Sequence, residues 1–367
     1  MINDKYMQHA LDLAEKGKGF VSPNPLVGCV IVKNDKIIGE GWHNAFGKPH
    51  AEIEAMSNID AKLLEGSTLY VNLEPCSHFG KTPPCTDAII QNKIKRVVVG
   101  MVDPNPLVSG KGVSKLLNAG IEVIVGVLED ESRYLNRSFN KYISKGLPYI
   151  VLKTAMSLDG FTAAADGTSK WLTSEESRRE VHKLRSELDA VLVGKNTVIL
   201  DDPQLNVRFI NGRAPIRVVL DSNLEIPENS KVYSTAAEQK TIVCYSENPE
   251  NYKKAQNLLS MNVMLLPIKK DSKGKLDISE IINKLTKEHN IASLLVEGGA
   301  EVHSSFLQNG FCDELHIFQA PILLGAGKKA FGGYNSGTLN AGIRFKQTST
   351  KQINNDCYII YKKDEDE

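Results

Sequence analysis

The chain is short of the features that would make it a secreted, membrane or nucleic-acid-coating protein. Its 367 residues hold only six cysteines, at 29, 76, 85, 244, 312 and 357. So few, so unevenly spaced, make no disulfide framework and fit a reducing cytoplasm. No apolar run approaches the ~18 residues of a membrane-spanning helix. The opening Met1-Ile2-Asn3-Asp4-Lys5 lacks a basic stretch followed by an apolar one, so no signal peptide is expected. Neither charge sign is in excess: Lys+Arg and Asp+Glu both total 44. That balance speaks against a broad basic surface for nucleic acid. The remaining classes are soluble globular ones, and the length suits two domains, each with its own core.

What is present is a spaced set of metal-ligating residues. His50-Ala51-Glu52 is followed by Pro75-Cys76 and then by Cys85. One histidine and two cysteines supply three zinc ligands and leave a fourth position for water, as a catalytic zinc requires. Zinc-dependent nucleobase deaminases carry H-x-E followed by P-C-x-x-C, with the glutamate as proton carrier rather than ligand. Here eight residues, not two, separate the cysteines. The insert, Ser77 to Pro84, brings His78 and Lys81, two cations able to hold a phosphate, or simply polar residues of an exposed loop. His78 could also close the zinc as a fourth ligand, which would make the site structural.

Periodicity places these residues on an α/β framework. Helical spacing marks residues 1–20, and Val27–Val32, Asn34-Asp35 and Ile37–Gly39 read as a hairpin. A helix is expected over His50–Met56, a strand over Leu69–Leu73 ending before Pro75-Cys76, and a helix over Thr86–Gln91 starting around Cys85. Strands at Arg96–Met101 and Ile121–Val127 complete a three-layer domain. The pattern breaks around Ser144–Pro148, which divides the chain into 1–146 and 147–363, with 364–367 as an acidic tail. In the second domain strands are expected at 149–155, 190–194, 216–221, 241–245, 262–266, 293–297, 313–319 and 355–361. Helices are expected at 174–187, 250–260, 277–288 and 300–309. Val296-Glu297-Gly298-Gly299-Ala300 follows a strand and precedes a helix, a place where backbone can approach a phosphate. It is not a G-x-G-x-x-G fingerprint, and a Gly-Gly pair is often only a turn.

The motifs together resemble a known family. Ser22-Pro23-Asn24-Pro25, Gly41-x-His43, His50-Ala51-Glu52, Pro75-Cys76-x-His78-x-Gly80-x-Thr82-Pro83-Pro84-Cys85 and Asp103-Pro104-Asn105-Pro106 are similar to the bifunctional deaminase–reductases of riboflavin biosynthesis. The long cysteine spacing is that family's own. The resemblance implies a cytidine-deaminase-like first domain that removes the 2-amino group of 2,5-diamino-6-ribosylamino-4(3H)-pyrimidinone 5′-phosphate. It implies His50, Cys76 and Cys85 as zinc ligands, Glu52 as proton shuttle, and Asn24, His43, His78, Lys81, Asp103 and Asn105 around the substrate.

The resemblance continues through Lys153-Thr154-Ala155, Ser169-x-Trp171, Arg185, Thr197, Asp201-Asp202-Pro203-x-Leu205 and Glu297-Gly298-Gly299. It implies a dihydrofolate-reductase-like second domain that uses NADPH to turn the ribosyl into a ribityl side chain. Lys153, Ser169, Arg185, Leu205, Arg208 and Glu297 would contact substrate; Ala155, Trp171, Thr197, Asp201, Ser222 and the segment from Gly299 would contact NADPH. Arg185 and Arg208 are suited to a phosphate by their bidentate guanidinium forks, though Arg185 also stands among the charges of a helix and Trp171 could be core. Ser174 stands where the resemblance leads one to expect glycine, and a serine there can cap the following helix.

The expected partners are a small pyrimidine ribonucleotide and copies of the same chain, without nucleic acid or membrane. The competing readings are a nucleoside or tRNA base deaminase with an accessory C-terminal domain, and a binding protein with a structural zinc.

Overall fold

The computed structural model describes residues 3–79 and 83–364, and the chain divides into two compact units, Met1–Leu147 and Pro148–Glu367. Unit one runs α1 (Asp4–Glu15), β1 (Gly28–Lys33), β2 (Lys36–Trp42), α2 (Ala51–Met56), α3 (Ala61–Leu64), β3 (Thr68–Leu73), α4 (Cys85–Gln91), β4 (Arg96–Met101), α5 (Lys111–Asn118), β5 (Glu122–Val125), α6 (Glu129–Leu135) and α7 (Arg137–Lys145).

Its sheet has the order β2-β1-β3-β4-β5. β1 is antiparallel to β2 and β3, whereas β3, β4 and β5 are parallel. Asn34 and Asp35, at φ 51° and 57°, form the two-residue turn of the β1–β2 hairpin. Positive φ at both positions matches the twist of paired strands, and Asn and Asp tolerate it. Cys29, Ile31, Val71 and Val97 pack on Ala51, Ala55, Ile89 and Leu116 of α2, α4 and α5. The alternate residues Val30, Val32, Tyr70 and Val98 pack on Met7, Ala10 and Leu13 of α1. Both faces are therefore covered, which is why these strands read as unbroken apolar runs. A Cβ at Gly41 would lie 2.4 Å from the Ala55 nitrogen and 2.5 Å from the Ala51 carbonyl oxygen, so glycine lets α2 lie directly on β2.

Unit two runs β6 (Tyr149–Met156), β7 (Phe161–Ala164), α8 (Glu175–Glu187), β8 (Ala190–Gly194), α9 (Lys195–Asp201), β9 (Ile216–Leu220), α10 (Lys231–Ser234), β10 (Thr241–Tyr245), α11 (Tyr252–Ser260), β11 (Met264–Pro267), α12 (Ile278–His289), β12 (Ser293–Val296), α13 (Ala300–Gln308), β13 (Glu314–Gln319), β14 (Gly327–Lys329), β15 (Phe345–Ile353) and β16 (Asp356–Lys363). The main sheet has the order β11-β10-β9-β8-β12-β6-β13-β16-β15. It is parallel from β11 to β13 and closes with antiparallel β16 and β15.

The structure adds elements beyond those expected from the sequence. β15 is an edge strand, and its Lys346–Lys351 stretch is exposed on both faces, so no apolar alternation marks it. α6 and α7 fill the span before the second unit, and α7 buries no residue. Helix α7 ends at Gly146 in the left-handed region, φ 63°.

Ser174 is the N-cap of α8: its Oγ accepts from the Ser177 amide at 3.2 Å. The Ser174 hydroxyl and amide and the Ser177 hydroxyl all donate to buried Asp356 on β16, at 2.7, 2.7 and 2.6 Å. Ser174→Gly keeps the amide bond to Asp356 and should cost about 1 kcal/mol in denaturant unfolding. Asp356→Ala strands three donors and should cost about 3 kcal/mol. Equal effects of the two changes would show that Asp356 does not anchor α8.

Candidate active sites

In unit one three elements end at one point. His50 is the N-cap of α2, with extended backbone, so its side chain turns off the helix and makes no capping bond. Cys76 follows β3, and Cys85 is the first residue of α4. His50 Nδ1 lies 3.3 Å from Cys85 Sγ and 3.6 Å from Cys76 Sγ. The three ligand atoms all lie within 4.8 Å of one another. Ligands on a tetrahedral zinc at ~2.0–2.3 Å stand ~3.6 Å apart, so this donor set fits zinc in both chemistry and spacing. His78 stands outside the group and is exposed.

The thiols prepare the site for a cation. Cys76 accepts hydrogen bonds from the Cys85 thiol, His50 and the Cys85 backbone amide at 3.3 Å, which hold it far below the ordinary thiol range. Cys85, sharing that proton, is pushed up. Glu52, two residues into α2, is 3 % exposed. Burial first, then the negative Cys76, raises its carboxyl to about 7.

Around this group, His43 Nδ1 lies 3.1 Å from the Pro49 carbonyl and Nε2 3.1 Å from Asn24 Nδ2. A carbonyl only accepts, so Nδ1 carries the proton and Nε2 accepts from Asn24. Burial lowers the His43 pKa and keeps the ring neutral. The His43 and His50 rings are 5.8 Å apart, edge to face. Asp103 follows β4, and its Oδ1 accepts from the Asn105 amide at 2.9 Å. Lys81 lies outside the described residues.

In unit two, Arg185 from α8 grips Glu297, at the end of β12, with a two-pronged bond: Nε to Oε1 at 2.6 Å and Nη2 to Oε2 at 3.0 Å. Lys153 Nζ on β6 lies 3.5 Å from Glu297 Oε2. Burial alone would raise the Glu297 carboxyl, but Arg185 and Lys153 outweigh it and hold it at about 2. Arg185 is thus part of a buried charge cluster, not a surface salt bridge. Arg208 is exposed and sits over the Phe209 ring. Leu205 buries its side chain in the core at φ 53°, so any substrate contact it makes is through its backbone. Ser169 is exposed. Trp171 is 68 % exposed with the Arg178 guanidinium 4.3 Å from its ring centre, so it is not core.

A cavity of about 500 Å³ opens beside the Gly298-Gly299 turn and is lined by Thr197, Ser222 and Gly299. Ala155, Trp171 and Asp201 lie outside that lining. A Cβ at Gly298 would meet Val302 of α13 at 2.5 Å, whereas one at Gly299 would meet nothing within 4 Å. Gly298 is therefore fixed by packing, and Gly299, the N-cap of α13, faces open space. Four lysines, 195, 275, 328 and 329, also line the cavity. They suit a ligand with several phosphates, and so does the α13 N-terminus. These lysines, and Glu74 beneath the first site, had no motif to announce them.

Both units match known proteins. Residues 148–359 match the RibD C-terminal domain, and residues 1–101 match the cytidine and deoxycytidylate deaminase zinc-binding region. The riboflavin biosynthesis protein RibD of Aquifex aeolicus is 47% identical over 363 residues, 99% of each chain. That of Escherichia coli is 40% identical over 339 residues, 89% of each. The structure of Acinetobacter baumannii RibD matches with a TM-score of 0.88 at 39% identity, covering 99% of both chains. The Thermotoga maritima diaminohydroxyphosphoribosylaminopyrimidine deaminase/5-amino-6-(5-phosphoribosylamino)uracil reductase matches at 0.86 and 39%, covering 98% of both. Unit one has the cytidine-deaminase-like fold and unit two the dihydrofolate-reductase-like fold. A base deaminase with an accessory domain is not favoured, because the second unit is a reductase domain. The chain belongs to the RibD family and is a bifunctional riboflavin-pathway enzyme, a zinc-dependent deaminase joined to an NADPH-dependent reductase.

Proposed function

We propose that unit one deaminates 2,5-diamino-6-ribosylamino-4(3H)-pyrimidinone 5′-phosphate and that unit two reduces the ribosyl side chain of the product. The observation that carries the first half is the His50, Cys76, Cys85 donor group beside a buried glutamate that is not part of it. His50, Cys76 and Cys85 would hold zinc, which would supply an activated water with its pKa brought toward ~7. Glu52 is the proton carrier: it takes one proton from the attacking water and gives it to a ring nitrogen, then takes the second from the hydroxyl left on the carbon and gives it to the departing amine. Oxygen adds to the amino-bearing carbon, the C–N bond breaks, and ammonia leaves. Asn24 and the neutral His43 orient the base; Asp103 and Asn105 hold base and ribose. His78 and Lys81 hold the phosphate, Lys81 on the sequence pattern alone.

In unit two NADPH would supply a hydride to C1′ of the ring-opened sugar, present as an imine; the C1′=N double bond becomes single and the nitrogen takes a proton from solvent. Thr197, Ser222 and Gly299 would hold NADPH in the cavity, whose lysines would serve its phosphates; Ala155, Trp171 and Asp201 would act at its margin. Lys153, Arg185 and Glu297 form the floor on which the sugar is held, with Ser169 and the Leu205 backbone at its edge. Arg208, exposed beside this cluster, takes the substrate phosphate. The chain works as a homo-oligomer in the cytoplasm. Leu158, Ile322 and Leu323, exposed at 50%, 44% and 71% around the Leu158-to-Ile322 backbone bond, supply an apolar patch for self-association. No disulfide joins the six cysteines, which suits a reducing compartment.

The test is to give the purified, zinc-loaded chain the diaminopyrimidinone ribonucleotide with NADPH. Ammonia release followed by NADPH oxidation is expected. A chelator should stop ammonia release and spare the reduction of separately supplied deaminated substrate. Ammonia release that survives complete zinc removal would refute the first half, and absent NADPH oxidation the second.

A further inference from the structure

Glu74 is buried, and its carboxylate is filled by backbone amides of a distant loop. Oε2 accepts from the Asp103 amide at 3.1 Å and the Gly110 amide at 2.9 Å. Oε1 accepts from the Gly112 amide at 2.8 Å and the Val113 amide at 3.1 Å. No ion pair joins Glu74 to a lysine, arginine or histidine among the described residues. A buried carboxylate without a cation is costly unless its lone pairs are met, and four N–H donors meet about four lone-pair positions. Gly110, the N-cap of α5, offers no side chain to the helix's free amides, so Glu74 caps α5 from elsewhere in the sequence.

The two ends of this contact lie at the two halves of the deaminase site. On its own side, Glu74 donates its amide to the Met101 carbonyl at 2.9 Å and stands two residues before Cys76. On the other side, the loop it grips carries Asp103 and Asn105. A Cβ at Gly112 would lie 2.1 Å from the Pro75 carbonyl oxygen, so the first turn of α5 rests on the Glu74–Pro75 segment itself.

We propose that Glu74 is a positioning residue for deamination, which fixes the Asp103–Asn105 loop relative to the metal-ligand segment so that the ribonucleotide meets a preformed site. This rests on the reading of Asp103 and Asn105 as substrate contacts. Loss of the clamp acts on binding, not on proton transfer, because Glu52, His50, Cys76 and Cys85 keep their own supports.

Glu74→Gln turns an amide NH₂ toward two backbone N–H donors and breaks those bonds. The expected result is a KM for the diaminopyrimidinone ribonucleotide raised ~10-fold or more, with kcat within ~3-fold. Zinc per chain and NADPH oxidation of separately supplied deaminated substrate should stay at wild-type values. Hydrogen exchange at the amides of 103, 110, 112 and 113 should quicken. Glu74→Asp, one methylene shorter but still a carboxylate, should give an intermediate KM with zinc retained, and it carries the test if the glutamine chain misfolds. An unchanged KM in both variants overturns the proposal. So does a fall in kcat and zinc in both, which would tie Glu74 to Cys76 rather than to the loop. Asp103→Asn and Asn105→Ala separate the two layers of the argument. If they leave KM unchanged, the substrate-contact reading fails; if they raise it while Glu74→Gln does not, the clamp alone fails.

Discussion

Glu52→Gln should lower ammonia release by ~10²- to 10⁴-fold, the range that a positioned general acid–base group supplies. Glutamine keeps the shape of the side chain in its buried place on α2 but cannot take up and return a proton. The glutamate is suited to that exchange because burial, the larger cause, raises its carboxyl above the ordinary carboxylate range. A group poised there holds the proton loosely enough to give it up at neutral pH. The three metal-ligating side chains are untouched by the change, so zinc per chain should remain at the wild-type level. NADPH oxidation with supplied deaminated substrate should also remain. Single-turnover ammonia release, read beside zinc content, decides the matter. A variant that keeps zinc and releases ammonia within tenfold of wild type would remove Glu52 from proton transfer.

The second large effect is expected in the reductase. Glu297→Gln leaves Arg185 and Lys153 buried without their counter-charge, and breaking a buried ion pair in this way costs about 3–5 kcal/mol. NADPH oxidation should fall by ~10²-fold or more, since the floor of the site loses its shape. Ammonia release from unit one should persist.

The pH dependence has a definite sign. The Glu297 carboxyl falls from 4.5 to about 2 on folding. Its contribution is thus fully present above 4.5 and is lost as pH drops through about 2. The folded state gives up about 3 kcal/mol across that window. Denaturant unfolding of wild type and Glu297→Gln between pH 5 and 2.5 measures it. The gap between the two chains should narrow as pH falls, and a constant gap would show that the carboxylate's charge is not what holds the cluster.

How far the sequence reaches can be judged residue by residue. The strand Arg96–Met101 has the bounds expected of it, because Val97 to Met101 are buried on both faces and each of them is apolar or small. The hairpin turn at Asn34-Asp35 was legible because only a few residue types accept positive φ. The metal group was legible because its spacing is tied to local structure: a ligand at a helix cap, one after a strand, one at the next helix start. β15 was not legible, since an exposed edge strand needs no apolar pattern. α7 was hard to read although Phe139, Tyr142 and Ile143 recur at helical spacing, because the helix is only nine residues long and buries none of them fully.

By itself, then, the sequence determined the α/β class, the succession of most elements, and the residue types able to bind zinc, move a proton and hold phosphates. Those properties are local, set by periodicity, turn chemistry and short spacings. Tertiary structure alone decided which distant groups meet. It joined Arg185 to Glu297 across 112 positions, Ser174 to Asp356 across 182, and Glu74 to the loop after β4. It also gathered Lys195, Lys275, Lys328 and Lys329 around one cavity. The physical reason is that a buried charge is tolerated only with a partner, and the partner is chosen by the packing of sheets and helices, not by its place along the chain.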